Sequence, residues 1–192
     1  MKLSKSLYTR AIQCQKSLWL KKHNKDVLTP PNAAAQAIFQ NGNEVGDLAC
    51  KLFPNGVEIP YHNTTFQDKI TLTQEYINQG TQNIYEATFE FDGILIMIDI
   101  LNIKDNSVII NEVKSSTQVK DIYLHDASIQ YYVLNGLGYD VKKVNIIHIN
   151  NEYVRDEELD INQLFSVVDV TYEVKELQAN IKNNLEIFRK TL

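Results

Sequence analysis

Hydrophobic residues are spaced at helical intervals over most of the chain, but between Asn83 and Lys114 they crowd into β-rich runs cut by turn signals. Helices are expected near Ser4–Lys22, Asn32–Phe53 and Phe66–Gln79, followed by a three-strand meander. A helix near Ile122–Gly136 comes next, stopped by Gly136 and Gly138, and then a strand at Val141–Asn150. The run Val144-Asn145-Ile146-Ile147-His148-Ile149 is apolar enough for a strand buried in a mixed sheet. A short strand near Leu164–Val170 and a helix near Tyr172–Arg189 complete the chain. No Pro/Gly/Ser linker, internal repeat or low-complexity tract interrupts it, so residues 1–192 are expected to form one domain, with 151–192 packed on a core of 1–150. The implied architecture is α/β, a central mixed sheet with an antiparallel three-strand meander flanked by helices.

The meander's turns fix its register. Asp92-Gly93 lies between Asn83–Phe91 and Ile94–Ile103, and Asp-Gly between β-rich runs is a strong two-residue hairpin signal because both positions need φ > 0. Phe91 then faces Ile94, and counting along the ladder places Glu86 opposite Asp99. The next turn, Lys104-Asp105-Asn106-Ser107, places Asp99 opposite Glu112. Three carboxylates form a row across three strands. Like charges directly opposite one another destabilise a sheet. Asp99 is moreover embedded in Ile94, Leu95, Ile96, Met97, Ile98, Ile100 and Leu101, the pattern of a strand covered on both faces. An ionised carboxylate there costs several kcal/mol unless positive charge is supplied, and a divalent cation would supply it. Lys114 points to the same face as Glu112, two residues before it. It could instead form a plain salt bridge with one acid, but one lysine cannot neutralise three carboxylates. The strand carrying Glu86 could also turn that side chain to solvent.

Asp99, followed thirteen residues later by Glu112-Val113-Lys114, resembles the D...(D/E)xK signature of the PD-(D/E)xK nuclease superfamily. The resemblance implies a restriction-endonuclease-like core. It also implies Mg²⁺ or Mn²⁺ held by Asp99, Glu112 and the Val113 carbonyl, with Glu86 as a further ligand and Lys114 helping to activate water. The segment Asp121–Leu134, with Ala127-Ser128-Ile129-Gln130-Tyr131-Tyr132, is similar to the helix after the lysine in the RecB-like branch, whose glutamine would be Gln130. Ser6–Leu20, with Cys14 and Ser17-Leu18-Trp19-Leu20, followed by Gly42-Asn43-Glu44-Val45-Gly46, resembles the start of RecB-like exonucleases, including CRISPR-associated ones, and an uncharacterised bacterial RecB-like family. On this resemblance Asp99, Glu112, Lys114 and Gln130 are the catalytic set, and Ser115 and Tyr131 beside them are candidate nucleic-acid contacts. Two positions depart from the pattern. Gly46 stands where many relatives have a metal-binding histidine, with Glu44 and Asp47 as neighbouring acids, and Leu134 stands where a tyrosine is common.

Charge adds one further site. The net charge of −5 argues against indiscriminate binding to nucleic acid, but residues 1–25 hold Lys2, Lys5, Arg10, Lys16, Lys21, Lys22 and Lys25 with no acid. Lys16, Lys21 and Lys22 are therefore candidate phosphate contacts on a helix, although a charged helix face is commonly just solvated. Cys14 and Cys50 are too few for a disulfide framework or a complete iron–sulfur cluster site, and Cys14 is expected to be a buried small hydrophobe. The chain has no 18-residue apolar run and no secretory start, so no membrane partner is expected and the cytoplasm is the default location. The histidines, His23, His62, His125 and His148, are scattered, and only His125 falls near the acids, as a neutral helix residue. The reading is a Mg²⁺- or Mn²⁺-dependent deoxyribonuclease, exonuclease-like on single strands or ends, in a DNA repair or defence setting, with RNA within the range the residues permit. The competing reading is a catalytically impaired module of the same fold that binds DNA or a protein partner.

Overall fold

The computed structural model describes residues 3–104 and 107–192; Lys2 of the basic run and the centre of the Lys104–Ser107 turn lie outside them. In chain order the elements are β1 (Leu3–Ser4), α1 (Lys5–Gln13), α2 (Gln15–His23), a 3₁₀ turn at Lys25–Val27, α3 (Ala33–Cys50) and β2 (Val57–Glu58). Then come α4 (Phe66–Asn78), β3 (Asn83–Phe91), β4 (Ile94–Lys104), β5 (Ser107–Lys114), α5 (Asp121–Gly136) and β6 (Asp140–Ile149). The chain closes with α6 (Ile161–Leu164), β7 (Phe165–Asp169) and α7 (Thr171–Thr191).

The strands form one mixed sheet in the order β2-β3-β4-β5-β6-β7, with β1 added in parallel against the start of β4. β3, β4 and β5 are the antiparallel meander, and α5 is the crossover that lets β6 lie parallel to β5. Asp92 at φ 50° and Gly93 at φ 69° make the two-residue turn, and Phe91 pairs with Ile94. Lys104 pairs with Ser107 and Ile100 with Asn111, the register that the second turn predicts. The fold is thus the α/β arrangement expected, a central mixed sheet with an antiparallel three-strand meander and helices on its faces.

Two apolar clusters hold the sheet. The larger joins Ile84, Phe89, Ile96, Ile98, Leu101 and Ile110 to α1 through Tyr8 and Ala11, to α5 through Ile129 and Val133, and to α7 through Val174, Ile181, Leu185 and Phe188. Tyr8 meets Phe188 edge-on at 5.5 Å, so the carboxy-terminal helix belongs to the same core as the first. The smaller cluster packs Val45 and Ala49 of α3 on Ile100, Ile147 and Phe165. Among the described residues no helix is long and apolar enough to cross a membrane.

The first helix differs from expectation. It breaks at Cys14, which is extended at φ −165°, and separates α1 from α2. Cys14 is exposed rather than buried. The break changes the direction of the chain, so Tyr8 and Ala11 on one side and Leu18 on the other reach the core while the residue between them points out.

Candidate active site

The candidate site forms where β4 parts from β5. Beyond the Ile100–Asn111 pair the β4–β5 ladder stops, and at its other end β4 takes β1 as its neighbour at Ile94 and Leu95. At Asp99, between the two, the backbone N–H of Val113 donates to the side-chain oxygen Oδ2 at 2.7 Å instead of to a strand carbonyl. On the other side the β3–β4 ladder pairs Ala87 with Ile98 and resumes with Tyr85 and Ile100, skipping Glu86, which is left-handed at φ 57°. Alternation slips there on both strands, since Ala87 and Phe89 share the larger core with Ile84, and Ile96 and Ile98 share it with Leu101. Glu86 and Asp99 therefore hold the register positions expected of them but are not a ladder pair. Glu86 is half-buried rather than turned to solvent. A left-handed non-glycine residue in a strand is uncommon, and such outliers gather at functional sites.

β1 and α1 fill the fork. Because Leu3 and Ser4 are zipped onto β4 and Ser4 accepts the Leu7 N–H at 3.3 Å as helix cap, Lys5 begins α1 directly over the carboxylates. Its Nζ donates to both oxygens of Glu112, at 3.1 and 3.0 Å, and lies 3.8 Å from Asp99 Oδ1 and 3.9 Å from Asp126 Oδ1. Both acids of the meander thus reach one ammonium on one face. Lys114 Nζ donates to Glu112 Oε1 and to Asp126 Oδ2, each at 2.6 Å. Gln130, wholly buried on α5, donates to Glu112 Oε2 at 2.6 Å and to the Asp126 carbonyl at 3.2 Å.

Glu112 is buried yet well supplied with donors. Against the cost of burial, Lys114 first and then Lys5 hold its carboxyl well below the usual carboxylate range. Asp99 and Asp126 go the other way. Burial, and next the charge of Glu112, pushes each up to about 6, with Lys5 and Lys114 opposing. Burial also raises the Glu86 carboxyl, which senses Lys5 and Glu112. Despite burial, which disfavours the ammonium, Asp126, Glu112 and Asp99 hold the Lys5 amine well above its usual range, and Glu112 and Asp126 do the same for Lys114. The cluster behaves as one unit of two cations and three close carboxylates, with Glu86 at its margin.

The other expected residues are less central. Val113 meets Asp99 through its N–H. Ser115 is exposed just past the end of β5, and Tyr131 is half-buried against the larger core. Lys16 and Lys21 are exposed and Lys22 half-buried on α2, and none makes an ion pair among the described residues. Gly46 lies on α3, where a Cβ would meet nothing within 4 Å; Glu44 is exposed and accepts from Gln40. Leu134 is buried in the core. Burial holds His125 toward its neutral form, and among the described residues its Nδ1 has no hydrogen-bond partner.

Two central residues escaped the sequence reading. Lys5 counts only as one of a basic run, because its place depends on two residues of β1 pairing with a strand ninety positions away. Asp126 was legible in principle. It stands four residues before Gln130, on the same helix face.

As donors for a cation, Asp99, Glu112, Asp126 and Glu86 offer the carboxylate oxygens that Mg²⁺ and Mn²⁺ take, and among the described residues Asp126 Oδ1 and Gln130 Oε1 are buried acceptors without a hydrogen-bond donor. The donor chemistry fits. Among the described residues no three His, Cys, Asp or Glu side chains converge as a metal grip, and the Lys5 ammonium contacts both Glu112 and Asp99.

No family model and no curated protein matches the chain. Among solved structures it is similar to an alkaline exonuclease (LHK-Exo) from Laribacter hongkongensis, with a TM-score of 0.52 and 13% identity over 98% of this chain and 86% of that one. At that identity the likeness is one of fold, and it agrees with the restriction-endonuclease-like core expected from the sequence.

Proposed function

We propose that this chain is a metal-dependent nuclease of the PD-(D/E)xK superfamily that hydrolyses phosphodiester bonds of DNA. The observation that carries the reading is the meeting of Asp99, Glu112 and Lys114 at the fork between β4 and β5, with Lys114 Nζ 2.6 Å from Glu112 Oε1. The sheet likeness to an exonuclease supports it, and brings strand ends as the preferred point of attack. The RecB-like branch is the finer assignment, resting on the Gln130 helix and the amino-terminal segments.

Asp99 and Glu112 would hold Mg²⁺ or Mn²⁺, with the Val113 carbonyl and Glu86 as further oxygen ligands. When bound, such a cation acidifies water and neutralises charge on a phosphate. Lys114 donates from a fixed position beside Glu112, so its ammonium can orient the attacking water or stabilise the charge that builds on the phosphoryl oxygens. Asp126 holds that ammonium from α5, and Gln130 fixes the Glu112 carboxylate from the same helix. Lys16, Lys21 and Lys22 on α2 would contact phosphates, with Ser115 and Tyr131 nearer the site.

The test compares wild type, Lys114→Ala and Asp99→Ala on single-stranded and duplex DNA and on RNA, in Mg²⁺, Mn²⁺ and EDTA. Lys114→Ala should keep Mn²⁺ binding and lose about 10²- to 10³-fold in turnover, whereas Asp99→Ala should lose both. Equal cleavage by wild type and Lys114→Ala would expose a contaminant. A non-catalytic module of the same fold is the second reading, favoured by Gly46 in the place of a ligand, and absence of cleavage under every condition would select it.

A further inference from the structure

We infer that the Lys5 ammonium is a built-in competitor for the divalent cation, seated on the carboxylate oxygens that the cation would take and obliged to give way when the cation is gripped. The inference rests on the nuclease reading above and adds to it an intramolecular regulator of metal binding.

Geometry carries it. Lys5 Nζ engages both oxygens of Glu112 at 3.1 and 3.0 Å and stands 3.8 Å from Asp99 Oδ1. A Mg²⁺ or Mn²⁺ ion shared by those two acids would need the same oxygens at about 2.0–2.2 Å, the reach of a small hard cation. Each oxygen has a second lone pair, but an ammonium and a dication on the same oxygens lie within a few ångströms of each other and repel, so the two compete. Lys114 Nζ also holds Glu112 Oε1, at 2.6 Å, but among the described residues only the Lys5 ammonium stands within 4 Å of both Glu112 and Asp99.

The place of Lys5 in its helix supports an electrostatic role. It is the first residue of α1, where the positive end of the helix dipole disfavours a cation, and the first turn contains no acid to offset it. Helix preference does not account for a lysine there; Glu112, Asp99 and Asp126 do. The side chain is also able to leave. Its backbone is pinned by the pairing of Leu3 and Ser4 with β4, while the four-carbon stem is flexible and the side chain keeps 19% of its surface exposed. Among the described residues Asp126 Oδ1, 3.9 Å from Lys5 Nζ, and Gln130 Oε1 are buried and receive no hydrogen bond, so the ammonium leaves acceptor capacity in the cluster unused. One cation replacing another keeps the carboxylates compensated throughout, which avoids the cost of stripping a buried charge bare.

The experiment is a calorimetric Mn²⁺ titration of wild type, Lys5→Met and Lys5→Arg, with thermal melts in EDTA and in Mn²⁺. Lys5→Met should bind Mn²⁺ about tenfold more tightly than wild type and gain more in Tm from the metal, while Lys5→Arg, which keeps the charge, should not tighten. An unchanged or weaker affinity in Lys5→Met, with wild type still binding Mn²⁺ and cutting DNA, overturns the inference and leaves the nuclease reading standing. If neither protein binds Mn²⁺, both fall. Should Lys5→Met fail to fold, wild type alone decides. Labelling of Lys5 by an amine-reactive acyl reagent, read by peptide mass spectrometry, should rise severalfold in saturating Mn²⁺, and labelling that does not change overturns the inference.

Discussion

Asp126 Oδ2 lies 2.6 Å from Lys114 Nζ, so the lysine of the meander is held from α5 as well as from Glu112 on its own strand. A lysine stem has several rotatable bonds, and two acceptors on different elements reduce that freedom to one position. On the proposed mechanism Asp126 acts as a positioning residue. Asp126→Asn should lower kcat by about ten- to a hundredfold with little change in KM or Mn²⁺ affinity, and Asp126→Glu should recover part of the loss. Steady-state kinetics beside a Mn²⁺ titration check this. A weakened Mn²⁺ affinity with kcat intact would make Asp126 a metal ligand instead.

Stability should depend on pH in a direction set by the same cluster. Asp99 and Asp126 are pushed up to about 6 in the folded protein, from 3.8 for an unperturbed aspartate, so the native state binds more protons than the unfolded chain between about pH 4 and pH 6. Their contribution to stability is present below that window and is lost as pH rises through it. Glu112 is held low and works in the opposite sense, but only below the 4.5 of an unperturbed glutamate. Between about pH 5 and pH 7 the two aspartates, with Glu86, act against His125, which burial holds toward neutral and which works in the opposite sense; the two strongly raised acids outweigh one histidine, and Tm in EDTA should fall. Asp99→Asn should flatten part of that fall. A Tm that climbs across the interval would contradict the environment described for these acids.

Gly46 offers a gain-of-function test. Space for a Cβ is open there, and Cys50 one turn later on α3 is close enough to Asp99 and Glu86 for their charges, after burial and Asp47 and Glu58, to help push its thiol up to about 12. Gly46→His adds an imidazole on the helix face that looks toward those acids and removes a helix-interior glycine, worth a few tenths of a kcal/mol. We expect Mn²⁺ affinity to rise about tenfold in calorimetry, with Tm unchanged or slightly higher. No change in affinity would show that α3 stands too far from the carboxylates to contribute a ligand.

The lysines of α2 should matter for binding and not for turnover at saturation. Replacing Lys16, Lys21 and Lys22 together by Gln should weaken single-stranded DNA binding and lower the slope of log affinity against log salt by up to about 2, if all three touch phosphate. Fluorescence anisotropy over a salt series measures it. An unchanged slope would return these side chains to the status of a solvated helix face.

The sequence by itself determined the meander and much of the carboxylate cluster. Asp92-Gly93 can turn in only a few ways, and strand periodicity then carries the register outward, so the positions of Asp99, Glu112 and Lys114 follow from local geometry. Gln130 followed from the resemblance of its helix. Tertiary structure decided what those side chains touch. The left-handed Glu86 and the parting of β4 from β5 at Asp99 depend on which strand each edge of β4 takes as partner, and the seat of Lys5 depends on a two-residue strand reaching across the chain to that edge. The turn at Cys14 was set in the same way, by core packing of Tyr8, Ala11 and Leu18 that no short window of sequence contains. Local rules fix φ, ψ and spacing, whereas the pairing of distant charges is fixed only when the sheet closes around them.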